Sequence, residues 1–220
     1  MRIILVRHGE PDYRRDCLTP AGLRQAEAAA ERLADEGIEA VFSSPMGRAR
    51  ETAGCTARRL QLPVTVLPFL HEIDWGGPGI PEGGHPWTLG SRMIDDDNFD
   101  FRAGDWRQHP FFAGNAATPG YDAVAAGTDA FLAGQGYRRE GTRYRCLTDR
   151  EPTLALFGHG GSGACLLAHT LGLPFPWTAT VLPYGFASVT VLNFPCRPGE
   201  IVHPRLELFN DEAHVHRRAE

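Results

Sequence analysis

Residues Ile3-Ile4-Leu5-Val6 form an uninterrupted apolar run that ends at Arg7-His8. Successive side chains of a strand point to opposite faces, so a run of this kind has both faces buried. A strand buried twice needs a covering layer on each side of its sheet, which is the arrangement of α/β folds. The residues that follow supply those layers. Thr19-Pro20 is an N-cap followed by a first-turn proline, and Leu23, Ala26, Ala30 and Leu33 recur at helical spacing. They predict a helix over 21–36, ended by Gly37. A strand over 39–44, a helix over 46–60 and a strand over 64–67 continue the alternation. After a long interruption it resumes with a strand at 153–157, a helix at 162–171 and closing strands at 188–194 and 205–209. The expected fold is a three-layer, doubly wound, mostly parallel sheet with helices on both faces. At 220 residues one α/β domain spanning 1–220 is expected, burying roughly 70–75% of its unfolded surface.

The interruption, about 76–150, is rich in Gly, Pro, Asp and aromatic residues. Within it Thr118-Pro119 starts a predicted helix to residue 132, and 137–147 reads as a hairpin turning at 140–142. An irregular segment this long inside one fold is usually functional, so it is read as an inserted cap-like region, a lid or substrate wall.

Composition then removes several chemistries. All 22 basic residues are arginine; there is no lysine. That excludes Schiff-base and pyridoxal-phosphate catalysis, the P-loop lysine and the kinase ATP-pairing lysine. Any anion bound here meets guanidinium groups, which stay charged and fork onto two oxygens. A net charge of −5 without a basic run argues against nucleic-acid or membrane partners. The five cysteines (17, 55, 146, 165 and 196) contain no C-x-x-C pair, and their odd number argues against a disulfide framework. Four apolar residues before Arg7 are too few for a signal peptide, and no apolar run reaches membrane-spanning length. A reduced cytoplasmic protein is expected. His214 and His216 have no cysteine or carboxylate cluster nearby and are read as a tail, with no metal and no cofactor expected.

Open α/β sheets bind ligands outside the carboxyl ends of their strands. Arg7 and His8 follow the first strand, Ser43-Ser44 and Arg48 the second, Glu72 the third, and His159 the resumed one. Two arginines, two histidines and a carboxylate in equivalent places suggest a bound anion, a nucleophile or base, and a proton donor. Gly158-His159-Gly160-Gly161-Ser162-Gly163 also fits G-x-G-x-x-G, but no Asp or Glu occurs between Gly163 and Glu200 to hold a ribose. What remains of that motif is a helix N-terminus whose N–H groups face an anion, with His159 among them. Ser162 lacks the second glycine of G-x-S-x-G, since Ala164 stands there, and is not read as an esterase nucleophile.

The set as a whole resembles the histidine phosphatase (phosphoglycerate mutase-like) superfamily. The resemblance rests on Arg7-His8-Gly9-Glu10, Leu18-Thr19-Pro20-Ala21-Gly22 with Gln25-Ala26, and the run from Ser43-Ser44-Pro45 through Arg48 to Ala53. Gly158-His159-Gly160-Gly161 and Asn210-Asp211-Glu212-Ala213-His214 complete it. It implies His8 as the nucleophile that becomes phosphohistidine, Arg7, Arg48 and His159 as phosphoryl ligands together with Gly160, and Glu72 as general acid. Asp74 is the rival acid, but Leu70-x-Glu72 resembles the family pattern more closely. Arg14 stands where many members carry asparagine, six positions past the nucleophile, and either touches substrate or points into solvent. His109, Arg92, Arg102, Arg107 and Tyr121 are further candidate contacts, each more simply structural. The implied activity is a metal-independent phosphatase acting on a small acidic phosphomonoester, with a homodimer compatible. The alternatives are mutase-type phosphoryl transfer, against which the missing lysine speaks, and a non-catalytic phospho-ligand-binding protein, against which intact His8 and Glu72 speak.

Overall fold

The computed structural model describes residues 1–77 and 105–216. Its main sheet has six strands in the order β11-β9-β1-β8-β4-β5. These are β1 (Arg2–Arg7), β4 (Ile38–Ser43), β5 (Val64–Val66), β8 (Thr153–Gly158), β9 (Val189–Asn193) and β11 (Arg205–Asp211). The four strands β1, β8, β4 and β5 are mutually parallel, while β9 and β11 close the β1 side antiparallel. The opening apolar run is buried on both faces, as its pattern requires. Ile3 and Leu5 join one core cluster with Leu154, Leu156 and Leu192, whereas Ile4 and Val6 join the opposite one with Val41, Ala155 and Phe157.

Helices α1 (Pro20–Arg32) and α2 (Gly47–Leu60) cover the face of Ile4 and Val6. Thr19 Oγ1 accepts from the Gly22 N–H at 3.0 Å and caps α1, with Pro20 in its first turn. This helix stops four residues short of the expected end. The chain turns after Leu33, and Glu36 pairs with Arg2 at 3.0 Å and with Arg32, tying the turn to the start of β1. The opposite face is covered by α3 (Ala117–Gly134), α4 (Gly160–Leu171) and α5 (Phe175–Val181). The short α5 was not expected from the sequence, and neither was the small ladder of β2 (Pro11–Asp12) with β3 (Cys17–Leu18). Two further strands, β6 (Tyr137–Glu140) and β7 (Arg143–Cys146), form the expected hairpin, which pairs with β10 (Ile201–Val202).

Much of the described part of the 76–150 region belongs to the core. Trp106, Phe112, Val124, Leu132, Tyr137 and Tyr144 are buried in the same cluster as Ile3 and Leu5. Residues 213–216 are not a loose tail: Ala213–His216 forms α6, and His214 is buried with Nε2 2.9 Å from the Ala187 carbonyl. No helix among the described residues is long and apolar enough to cross a membrane.

Close backbone approach fixes the loop after β1. A Cβ on Gly22 would lie 2.0 Å from the Glu10 carbonyl oxygen. Alanine in place of glycine gains about 1 kcal/mol of helix propensity, but overpacking against backbone costs ~1–3 kcal/mol. Backbone cannot swing aside as a side chain can, so the clash prevails. Gly22→Ala should therefore lower the urea midpoint at unchanged m-value; an equal or higher midpoint would show that the loop yields freely.

Candidate active site

The strand order makes neighbours of residues far apart in sequence. β8 lies between β1 and β4, with Arg7 opposite Gly158 and Ser43 opposite Phe157. The pairing continues past the strands: the His8 N–H donates to the Gly158 carbonyl at 3.0 Å, and the Ser44 N–H to the Phe157 carbonyl at 2.8 Å. His8, Ser44 and His159 thus emerge side by side at the carboxyl edge. The rings of His8 and His159 meet edge to face with centroids 5.1 Å apart, and each residue is 1% exposed.

His8 is held in one tautomer. Its Nδ1 lies 2.7 Å from the Gly9 carbonyl oxygen, an acceptor only, so Nδ1 carries the proton. Nε2 is then unprotonated, and its lone pair accepts from Arg48 Nε at 3.2 Å. Arg48 is itself fixed from both sides. Its Nη1 donates to Asp16 at 2.5 Å, and its carbonyl accepts from Thr52 Oγ1, which in turn accepts from the Gly9 N–H. Burial works against charge on Asp16, yet the Gly47 N–H and the Arg48 guanidinium hold its carboxyl below the usual range. Asp16 sits at φ 50° in the turn between β2 and β3, and a Cβ on Gly47 would lie 2.1 Å from its carbonyl oxygen. The sequence reading missed Asp16, because one aspartate in a short polar turn carries no periodic signal.

His159 Nε2 lies 2.8 Å from Ser44 Oγ, and that oxygen also accepts from the Met46 N–H. With the Ser44 hydroxyl donating to His159 Nε2, the ring proton lies on Nδ1. His159 Nδ1 is buried without a hydrogen-bond partner among the described residues, and so is Arg7 Nε. Arg7 Nη1 donates to the Tyr184 carbonyl, and its guanidinium lies 4.3 Å from the ring centre of Phe186. The loop carrying Tyr184 and Phe186 is tied down at three points: Gly185 N–H to Asn210, Ala187 N–H to the His8 carbonyl, and His214 to the Ala187 carbonyl.

Glu72 occupies the N-terminus of α4. Its Oε1 accepts from the Ser162 and Ile73 N–H groups at 2.8 and 3.0 Å, and Oε2 from Gly161 at 3.2 Å. This corrects one sequence expectation: the anion facing those amides is the protein's own carboxylate. It also explains why α4 begins two residues earlier than its glycines suggested. A Cβ on Gly161 would come within 2.7 Å of Glu72 Oε1, so tertiary packing demands glycine where helix propensity disfavours it. Glu72, Arg7 and Gly160 line one end of a cavity of about 370 Å³. Trp75, Ala164, Ala179, Leu182, Pro183 and Tyr184 line much of the rest, with Tyr13 beside Arg48.

The structure does not bring every candidate here. Arg14 is exposed, its backbone N–H on Asp12, and lies with Asp12 and Arg15 in a separate surface depression. Asp74 is exposed. Arg107 stacks on Trp106 and pairs with Asp122, Tyr121 is packed in the core, and His109 Nδ1 accepts from the Phe111 N–H. Arg92 and Arg102 lie outside the described residues. Ser162 Oγ donates to the Leu70 carbonyl at 3.2 Å.

Burial, reinforced by the neighbouring cations, takes His8 down to about 3 and His159 down to about 2. The burial that lowers both values favours the neutral form of each ring. In the unfolded chain both titrate near 6.5. Above that pH neither state binds the proton, and the pair contributes no pH dependence. As pH falls through 6.5 the unfolded chain takes up protons that the folded chain refuses, so stability declines from there toward pH 3. The slope approaches ~1.4 kcal/mol per pH unit per ring. His8→Gln should reduce the fall in unfolding free energy between pH 6.5 and 5, measured by urea titration; an unchanged slope would mean that His8 protonates freely in the fold.

Comparison with known proteins identifies the family. The profile of the histidine phosphatase superfamily, branch 1, matches residues 3–92. The probable phosphoglycerate mutase GpmB of Proteus mirabilis is 31% identical over 184 residues, 79% of this chain and 76% of that protein. A mycobacterial glucosyl-3-phosphoglycerate phosphatase superposes with a TM-score of 0.62 at 25% identity, over 95% of this chain and 98% of that one. Phosphoserine phosphatase of Entamoeba histolytica, bound to 3-phosphoglyceric acid, shares the fold with a TM-score of 0.64 at 22% identity, over 97% and 98% of the two chains. The profile match takes in Arg7, His8, Arg48 and Glu72, and the relatives extend the likeness over most of the chain, which belongs to the histidine phosphatase superfamily.

Proposed function

We propose that this chain hydrolyses a small phosphomonoester through a phosphohistidine at His8, without a metal ion. The observation that carries this reading is the Nδ1 contact of His8 with the Gly9 carbonyl, which leaves Nε2 as a neutral nucleophile beside Arg48. Phosphoryl transfer depends on positioning and on stabilising charge at the equatorial oxygens. Arg7, Arg48 and His159 offer donors for those oxygens, and two of the donors, Arg7 Nε and His159 Nδ1, are buried and unpartnered among the described residues.

In the first step Nε2 attacks phosphorus, the N–P bond forms, and the ester P–O bond breaks. The departing alkoxide takes a proton from Glu72. Oε1 of that residue already accepts two backbone bonds and Oε2 only one, so Oε2 has the capacity to carry the proton. In the second step Glu72 removes a proton from water as the water oxygen attacks phosphorus. The N–P bond breaks, and His8 returns neutral with its Nδ1–H still bonded to Gly9. Mutase-type transfer would use the same first step and then return the phosphoryl group to a second hydroxyl. A pocket without lysine, lined mostly by apolar side chains among the described residues, gives a phosphoglycerate little to bind.

The wild-type protein should hydrolyse p-nitrophenyl phosphate in the presence of EDTA and yield an acid-labile phosphoprotein on rapid quench. His8→Ala should abolish both; turnover retained in that variant would remove His8 as nucleophile, and strict metal dependence would remove the mechanism. Glu72→Gln should slow alkyl phosphates about 10²–10⁴-fold, the range for a general acid, and p-nitrophenyl phosphate much less, because nitrophenolate leaves without a proton. Equal losses on both substrates would show that Glu72 acts otherwise.

A further inference from the structure

We infer that the leaving group accepted here is apolar and planar, so that the preferred substrate is a phosphomonoester of an aromatic-ring-bearing, uncharged alcohol rather than of a hydroxy acid. This departs from the small acidic ester suggested by the sequence, and it rests on the phosphatase reading above.

The charges around the site are already committed. Arg7 is the cation lining the cavity among the described residues; it donates to the Tyr184 carbonyl and has Nε available for phosphoryl oxygen. Arg48 is bound to Asp16 and to His8. The amides of Gly161 and Ser162, which would otherwise receive a carboxylate, are taken by Glu72. Among the described residues, a carboxylate on the substrate would therefore enter a space with no uncommitted cation to meet. Removing such a group from water without a partner is strongly unfavourable.

The remaining walls suit a ring. Trp75 stacks on the fully buried Phe175 with planes 16° apart and centroids 6.0 Å apart, and its Cζ2 would lie 3.2 Å from a Cβ on Gly161. The indole is thus fixed from two sides before any ligand arrives, so ordering it costs little on binding. Ala164, Ala179, Leu182 and Pro183 complete an apolar wall, and about 370 Å³ is at the lower end for small-ligand sites.

The test compares esters whose alkoxides leave comparably badly, so that intrinsic reactivity does not decide it: benzyl phosphate against 3-phosphoglycerate and phosphoserine, with p-nitrophenyl phosphate as the activity control. The expected kcat/KM is at least about 100-fold higher for benzyl phosphate, and benzylphosphonate should inhibit competitively. Leu182→Arg should narrow the ratio by raising turnover of 3-phosphoglycerate relative to benzyl phosphate. Acidic esters that match or exceed benzyl phosphate in the wild-type protein would overturn the inference while leaving the phosphatase reading intact. A protein inert toward all four esters would overturn both.

Discussion

The 2.7 Å contact between His8 Nδ1 and the Gly9 carbonyl organises the whole site. It places the ring proton on the nitrogen turned away from the chemistry, and everything else about His8 follows from holding that tautomer in a dry, cationic setting. Burial and the adjacent arginines keep the ring neutral, which is the form the proposed attack requires. The same arginines would be costly to bury alone, so each is fastened: Arg48 by Asp16, Arg7 by the Tyr184 carbonyl and the face of Phe186. Such anchoring leaves part of each guanidinium for the ligand, which is the preorganisation that phosphoryl transfer requires.

The fold brings these anchors together from distant parts of the chain. β8 inserts between β1 and β4, so the ends of three parallel strands present His8, His159 and Ser44 at one edge. The antiparallel strands β9 and β11 then close the β1 side, and their connections deliver Phe186, Asn210 and His214 to support Arg7 and His8. The C-terminal segment, read from sequence as a tail, is therefore part of the scaffold under His8.

What was legible in the sequence and what was not divides along physical lines. Arg7, His8, Arg48, Glu72 and His159 each stand at the end of a segment with a clear apolar pattern, and the rule that ligands meet strand ends is enough to group them. Asp16, Tyr184 and Phe186 come from turns whose conformation is set by contacts 30 or more residues away in sequence, Asp16 to Arg48 and Phe186 to Arg7 among them. No local period marks such residues. The start of α4 was misplaced for the opposite reason: its glycines argue locally against helix, and only the packing of Glu72, Ile73 and Trp75 onto Gly161 makes them necessary.

That packing also links the chemistry to substrate choice. A helix N-terminus beside a phosphate site ordinarily serves the phosphate. Here Glu72 takes the amides of Gly161 and Ser162, so the proposed phosphoryl binding falls to side chains. One consequence is that the carboxyl group is fixed rather than swinging, with Oε2 the oxygen less encumbered by backbone donors. The other is that the amides of Gly161 and Ser162 are no longer open to a substrate carboxylate, as the preference inferred above requires. Both consequences trace to Gly161, since any Cβ there would push Glu72 and Trp75 from their places. The residue that lets Glu72 reach its position is thus the one that lets the indole close the apolar wall.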